Sequence, residues 1–368
     1  MTSLPSPSGK ASAATVRDLA WWGRLLATYA LATAAGYAAK AAHVPLPWML
    51  GPLFACGLAT AFGLQLRSGP HMREIGQVVV GLAIGMRFTP HVLLVAMELL
   101  PAMLASTLYV ITLTFIAALI LRPLARVDAT TAFFATAAGG MADMAVVAAE
   151  RGGDTNAVSI VHALRMTSVV SIVPFLVTTF GEPGTTDFAP LAGDGGPLAL
   201  IAGFTIAYAG AWLLVPTAIP NPWLLGSLLP SAALGASGLL VADVPAVLLI
   251  VAQILIGVWL GLRFRRELFV RLPRVAATGF LVSLLLIAGA ALGAEVLSAA
   301  TGLPYTTSFL SLAPAAVTEM VLTARAMHAD AELVTAFHFA RIAVIASTIL
   351  VVFRFYRFVL RKHYGSTV

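Results

Sequence analysis

The chain has 368 residues, 60% of them hydrophobic and only 10% charged, against about 25% charged in an average soluble domain. That balance excludes an ordinary soluble fold and points to lipid. The formal charge of +6 and the pI near 9.8 have the sign of a nucleic-acid binder. The basic residues, however, fall in short loops between apolar segments, where membrane proteins keep them, so the bilayer and not nucleic acid is the expected partner.

Residues 1–16 are polar and rich in Pro and Ser, and are expected to form a disordered cytoplasmic tail. Six apolar segments follow, near 19–42, 46–65, 74–87, 91–121, 129–149 and 156–180. The first contains Ala32-Thr33-Ala34, which resembles a signal-peptidase site, but a counterpart in the second half argues for a retained span. An acidic stretch at 182–196 is expected as an extracytoplasmic linker, and six more segments lie near 197–216, 222–241, 244–262, 275–300, 304–324 and 332–353. The expected divisions are a first membrane repeat at 17–181, a second at 197–362 and a short cytoplasmic tail at 363–368. Cys56 is the only cysteine, which excludes an intramolecular disulfide and a thiolate metal cluster.

The two halves are copies of one unit. Pro47-Trp48-Met49-Leu50-Gly51 returns as Pro222-Trp223-Leu224-Leu225-Gly226, 175 residues later. Gln77, Gly81, Gly85, Arg87 and Phe88 return 176 residues later as Gln253, Gly257, Gly261, Arg263 and Phe264. The same shift carries Asp143 onto Glu319, Asp154 onto Asp330, His162 onto His338 and Arg165 onto Arg341. Apolar helices that match by chance exchange Leu for Val; they do not keep His on His and Arg on Arg.

In both copies the fifth segment is interrupted, by Ala137-Ala138-Gly139-Gly140 and by Ala313-Pro314-Ala315-Ala316. Paired interruptions in two repeats are a pointer to a transporter's binding site. If each fifth segment is re-entrant, each half crosses five times, and the copies are inverted. Most Lys and Arg, including those of the run 263–274, then fall on the cytoplasmic side with both termini. The expected fold is therefore an all-α polytopic membrane protein of two inverted repeats. Each repeat has about five transmembrane helices and one broken or re-entrant helix.

Charge within the bilayer costs at least ~2.5 kcal/mol per group, so each buried charge needs a reason. Asp143 and Glu319, three residues past each interruption, are candidates to bind a coupling H⁺ or Na⁺ beside freed carbonyls. The structural alternative is an ion pair in each half, Asp143 with Arg165 and Glu319 with Arg341. His162 and Arg165, like His338 and Arg341, are three apart and share a helix face. With Gly139, Gly140, Ala315 and Ala316 they form the candidate substrate site, the Arg fork suiting an anion and the His a proton relay. The alternative is that each His merely bonds a neighbouring helix. Gln77 and Gln253 are secondary candidates on helices whose glycines, four apart, suit close packing.

No cofactor or metal is expected and no enzyme is indicated. The seven His residues form no His-x-x-x-His pair, and no nucleophile elbow or phosphate loop is present.

The Pro47-to-Pro52 motif, Gly81-Leu82-Ala83-Ile84-Gly85, the stretch Gly139 to Met144 and their echoes resemble the AbrB-type duplicated membrane proteins of bacteria, from about residue 20 to 360. That family is distinct from the small soluble DNA-binding proteins that share its name. Its members are labelled as regulators of AidB expression or as ammonia monooxygenases; the second label lacks a copper or iron ligand set in this sequence. The resemblance implies a fold similar to inverted-repeat secondary transporters, and no catalytic residue carries over from it.

The resulting expectation is a secondary transporter of the bacterial inner membrane. It takes a small anionic organic solute with H⁺ or Na⁺ by alternating access, one bundle rocking against the other. The alternative is a membrane-embedded sensor or regulator of gene expression that binds a ligand without moving it. The sequence leaves a homodimer open.

Overall fold

The computed structural model of the protein describes residues 8–181, 196–217, 219–240, 242–264 and 272–364. Residues 182–195 of the linker expected at 182–196, residues 265–271 of the basic run and residues 365–368 of the expected tail lie outside the described residues. The described residues are overwhelmingly helical, with no strand among them.

The first half carries α1 (Ser8–Ala41), α2 (Pro47–Ala61), α3 (Met72–Gly85), α4 (Pro90–Glu98), α5 (Leu100–Ala125), α6 (Ala129–Thr136), α7 (Met141–Glu150) and α8 (Thr155–Phe180). The second carries α9 (Gly196–Leu214), α10 (Pro222–Ser237), α11 (Ala246–Gly261), α12 (Pro273–Thr301), α13 (Tyr305–Leu312), α14 (Val317–Ala326) and α15 (Ala331–Tyr364). Helices α2, α4, α5, α10 and α12 have Pro at one of their first two positions. Its missing N–H costs nothing there, and its fixed φ pre-shapes the first turn.

Three boundaries differ from those read in the sequence. Helix α1 begins at Ser8, inside the polar stretch expected as tail, and α15 runs on to Tyr364. The apolar segment at 91–121 is two helices, α4 and α5, which meet at Leu99 in front of Pro101. Hydrophobicity marks where lipid or core is met, not where a helix stops.

Five helical stretches are long and apolar enough to cross a membrane: Leu100–Ala125, Thr155–Thr179, Gly196–Leu214, Pro273–Thr301 and Ala331–Lys362. There are six if α3 and α4, bent by 93° at their junction, count as one span. The architecture is that of a polytopic membrane protein. Outward-facing Leu198, Ile201, Trp212 and Leu213 on α9 are more than half exposed, an arrangement that water penalises and acyl chains do not.

The chain forms two compact units, residues 1–76 with 250–266, and residues 77–249 with 267–368. In the first unit α1 packs along α2, where a Cβ on Gly51 would lie 2.5 Å from the Ala35 carbonyl oxygen. The end of α11 lies as tightly on α2: a Cβ on Gly257 would be 2.4 Å from the Met49 carbonyl oxygen. Ala32, Cys56, Ile254 and Val258 form the buried centre.

In the second unit the same joints recur between their repeat mates. Gly226 of α10 meets the backbone of α9 at Gly210 and Ala211, and Gly85 of α3 meets Leu228 and Ser231 of α10. The third helix of each copy thus packs on the second helix of the other copy. The rest of this unit, α5, α8, α12 and α15, surrounds the short helices α6, α7, α13 and α14. Phe133, Phe134, Phe353 and Tyr356 form an aromatic cluster at its core.

Candidate functional site

Each fifth segment is a helical hairpin laid against the helix that follows it. In the first copy, Thr131 Oγ1 near the start of α6 accepts the Asp154 N–H at the start of α8, at 2.8 Å. One turn on, the Phe134 carbonyl meets His162 of α8, and beyond it Ala137 meets Arg165. Helix α6 therefore climbs alongside α8. Helix α7 returns: a Cβ on Gly153 would touch both Ala148 of α7 and Thr130 of α6. Both ends of the hairpin lie at the N-terminal end of α8, and its tip lies near Arg165.

The second copy repeats this contact for contact. Thr307 Oγ1 accepts the Asp330 N–H at 3.4 Å, the Leu310 carbonyl meets His338, and the Ala313 carbonyl meets Arg341. Every partner is shifted by 176 residues, so the duplication read in the sequence is also a duplication of hydrogen bonds.

At the tip the backbone leaves the helix. Ala137 and Gly140, and their mates Ala313 and Ala316, have extended ψ values between 134° and 151°. A helix that stops inside an apolar core leaves its last carbonyls without partners, which costs ~1–3 kcal/mol per group. The His-x-x-Arg of the following helix supplies what is missing.

Arg165 donates from Nη1 to the carbonyls of Thr136 at 2.9 Å and Ala137 at 2.8 Å, and from Nη2 to that of Gly139 at 3.5 Å. Arg341 donates to Ala313 at 3.1 Å and to Ala315 at 3.4 Å. In addition Arg165 Nη2 donates to His162 Nδ1 at 3.0 Å, and Arg341 Nη2 to His338 Nδ1. A guanidinium only donates, so each Nδ1 is the acceptor. Each Nε2 then carries the hydrogen and donates it, to Phe134 at 2.9 Å and to Leu310 at 3.0 Å. Both rings are fully buried with both nitrogens engaged, an arrangement suited to holding the hairpin and not to relaying protons.

The opposite pole of each break is met by the carboxylates. Asp143 and Glu319 are the third residues of α7 and α14, behind N-cap residues Gly140 and Ala316. An acid there answers the partial positive charge of the helix N-terminus. Asp143 folds back so closely that a Cβ on Gly140 would be 2.4 Å from its Oδ2. The second copy has that Cβ, on Ala316, and the longer acid, Glu319, in place of the Asp.

The structure therefore corrects one reading of the charges. Asp143 does not pair with Arg165, nor Glu319 with Arg341. The arginines are spent on carbonyls, and the acids sit in the first turns of the helices that follow the breaks. Arg165 keeps one buried donor, Nε, without a hydrogen bond. The two arginines are each 5% exposed. The breaks together thus hold two buried cations and one buried carboxylate, Glu319 at 1% exposure, while Asp143 is exposed. Beside Ala137 and Ala138 a crevice opens, lined by Ile111, Thr114, Phe133 and Ile345.

Of the secondary candidates, Gln77 is buried and donates from Nε2 to Asn221 Oδ1 at 3.1 Å and, longer, to Thr318 Oγ1 at 3.5 Å. Gln253 belongs to the first unit, and its Oε1 is buried without a hydrogen-bond partner. Sequence reasoning passed over Asn221 and Thr318. The signal was there, since their repeat mates Leu46 and Ala142 are apolar.

A family model described as "Transition state regulatory protein AbrB" matches residues 48–357. The chain is 29% identical to "Uncharacterized protein YhjN" of Bacillus subtilis (strain 168) over 348 residues, 86% of this chain and 88% of that one. It is 24% identical to "Putative regulator AbrB" of Escherichia coli (strain K12) over 339 residues, 89% of this chain and 94% of that one.

Proposed function

The chain belongs to the AbrB family, and from that premise and its paired hairpins we propose that it is a secondary active transporter in the bacterial inner membrane. It moves a small anionic organic solute, coupled to H⁺ or Na⁺, by alternating access, and it does no covalent chemistry on that solute. The observation that carries this reading is the pair of broken helices whose freed carbonyls are met by buried arginines in an apolar helical protein. Irregular backbone at membrane depth is tolerated where it serves a polar pathway, and matched breaks in two copies are the usual frame of such a site.

In this reading the hairpins re-enter the bilayer, each half crosses an odd number of times, and the copies are inverted, with both termini cytoplasmic. The solute lies at the tips, near Gly139, Gly140, Ala315 and Ala316. Arg165 and Arg341 attract it by charge, since their forks already hold carbonyls. Asp143 and Glu319 take the coupling ion. The sensor reading is favoured by one observation, the word regulator in the name of the Escherichia coli relative.

The test uses purified full-length protein. Melting temperature is measured against a panel of small organic anions at two pH values, with and without Na⁺, because a ligand of the folded state raises it. One class is expected to stabilise the protein and to accumulate in proteoliposomes under an ion gradient. The Asp143→Asn/Glu319→Gln double variant is expected to stay folded and to lose accumulation. A single cysteine at Ala138, in a Cys56→Ala background, is expected to switch its labelling between the two membrane faces as the gradient is reversed. Stabilisation by an anion that is never accumulated, with labelling fixed to one face, would replace transport by sensing.

A further inference from the structure

The two hairpins share a backbone scheme, but their side chains differ: Thr136 of the first copy is Leu312 in the second, and several positions change the other way. Where the first copy has Leu46, Ala132, Ala135 and Ala142, the second has Asn221, Ser308, Ser311 and Thr318. Four apolar positions in one copy are thus oxygen-bearing in the other. Ser308, Ser311 and Thr318 are all buried, and Ser308 Oγ, at 0% exposure, makes no hydrogen bond. Duplicated packing needs no such difference. An oxygen without a partner in an apolar interior costs free energy.

Two of these oxygens, on Asn221 and Thr318, meet one amide beside the buried acid. Thr318 precedes Glu319 in α14, and Gln77 of α3 reaches both Thr318 and Asn221. Three elements of one unit, α3, the N-cap of α10 and α14, therefore converge on the residue beside the carboxylate. The Gln77 amide N–H₂ is the group that the Asn221 carbonyl and the Thr318 hydroxyl oxygen face. It carries partial positive charge, so those two oxygens are already directed at a cation-like group.

We infer that the second copy alone holds a site for Na⁺, built from the Glu319 carboxylate and the oxygens of Thr318 and Asn221, the ion taking the place at which the Gln77 amide N–H₂ stands. A hard monovalent ion takes carboxylate, hydroxyl and amide oxygens together, whereas a proton needs only the carboxylate. One full charge on Glu319 balances the ion, and the neutral oxygens replace its water. The first copy, with Leu46 and Ala142 in the matching places, has only Asp143 to offer, and that residue is exposed. This rests on the transporter reading for its purpose, coupling, and narrows that reading to one ion and one half of the chain.

The experiment measures ²²Na⁺ binding and the melting temperature of the purified full chain in NaCl against choline chloride at equal ionic strength. Na⁺ is expected to bind and to raise the melting temperature. Thr318→Ala and Asn221→Leu, which restore the residues of the first copy, are each expected to weaken Na⁺ about tenfold. Glu319→Gln is expected to abolish binding, and Glu150→Gln, an exposed acid at the far end of α7, to leave it unchanged. If Glu319→Gln fails to fold, the two restoring variants decide the matter by their Na⁺ titrations. Wild-type protein indifferent to Na⁺, or variants at Thr318 and Asn221 that bind it as tightly as wild type, would overturn the site. Labelling at Ala138 that switches without Na⁺ would leave the transporter standing and remove only this site. Na⁺ binding without any switching would do the reverse.

Discussion

At the scale of single residues, the arginines of the two hairpins are explained first by the helix ends they complete. The carbonyls of Thr136, Ala137 and Gly139 have no helical donor, and Arg165 serves all three. Arg165→Ala and Arg341→Ala are each expected to cost about 2–4 kcal/mol, the sum of more than one buried acceptor left unbonded. Arg165→Lys is expected to recover less than half of that, because an ammonium on a flexible stem cannot reproduce a planar fork. Thermal unfolding in detergent checks both. Full rescue by Lys would mean that charge alone matters at the break.

The N-cap offers a second residue-scale test. In the first copy Gly140 makes room for Asp143; in the second, Ala316 stands behind the longer Glu319. Gly140→Ala alone is expected to push the carboxylate from its place and lower the melting temperature. The double variant Gly140→Ala/Asp143→Glu, a copy of the second hairpin, is expected to recover most of the loss. Additive losses in such a cycle would show that the two positions do not compensate.

At the scale of elements, helix joints depend on glycines that admit the backbone of a neighbour. A Cβ on Gly85 would lie 2.7 Å from the Leu228 carbonyl oxygen and 2.9 Å from the Ala232 nitrogen, and one on Gly257 would lie 2.4 Å from the Met49 carbonyl oxygen. Backbone cannot step aside as a side chain can. Gly85→Ala and Gly257→Ala are therefore expected to destabilise by about 1–3 kcal/mol. Gly23→Ala, where nothing lies within 4 Å, is expected to be neutral or slightly stabilising. The measurement is again the melting temperature, and equal effects at all three positions would sink the close-packing account.

The hairpins are equally an element-scale device. A short helix of eight residues, α6 or α13, is too short to hold itself together by its own ladder. It persists because the next helix bonds its N-terminal threonine turn, its middle carbonyl and its last carbonyls in sequence. Helix α8 thus serves as a template along three of its turns, through Asp154, His162 and Arg165.

At the scale of the whole molecule, the hairpin geometry makes topology testable. Both ends of the first hairpin lie at the start of α8, and both ends of the second at the start of α15. Cysteines at Val127 and Arg151, in a Cys56→Ala background, are expected to react with an impermeant maleimide from one face of the membrane. Cysteines at Gly302 and Met327 are expected to react from the opposite face if the copies are inverted. Labelling of all four from one face would make the repeats parallel, and labelling of the two ends of one hairpin from different faces would make it a full crossing.

Much is legible in the amino-acid order. Composition alone placed the chain in lipid, because too few charges exist to cover a soluble surface. The duplication was legible because His, Arg, Gly and Pro recur in one register, and the interruptions because Gly-Gly and Ala-Pro-Ala-Ala break an otherwise apolar run. Which groups touch was not legible. Asp143 and Arg165 are opposite charges in neighbouring segments, and sequence spacing alone favours pairing them. Only the fold shows that Arg165 bonds the freed carbonyls while Asp143 sits at a helix N-terminus, since a break in a helix presents carbonyls to one side and amides to the other. Nor could spacing reveal that Gln77 reaches Asn221 and Thr318, which lie 144 and 241 residues away. Hydrophobicity and repetition are properties of the chain and survive in its order. Charge partnership is a property of distance in space, and that was decided by the tertiary structure.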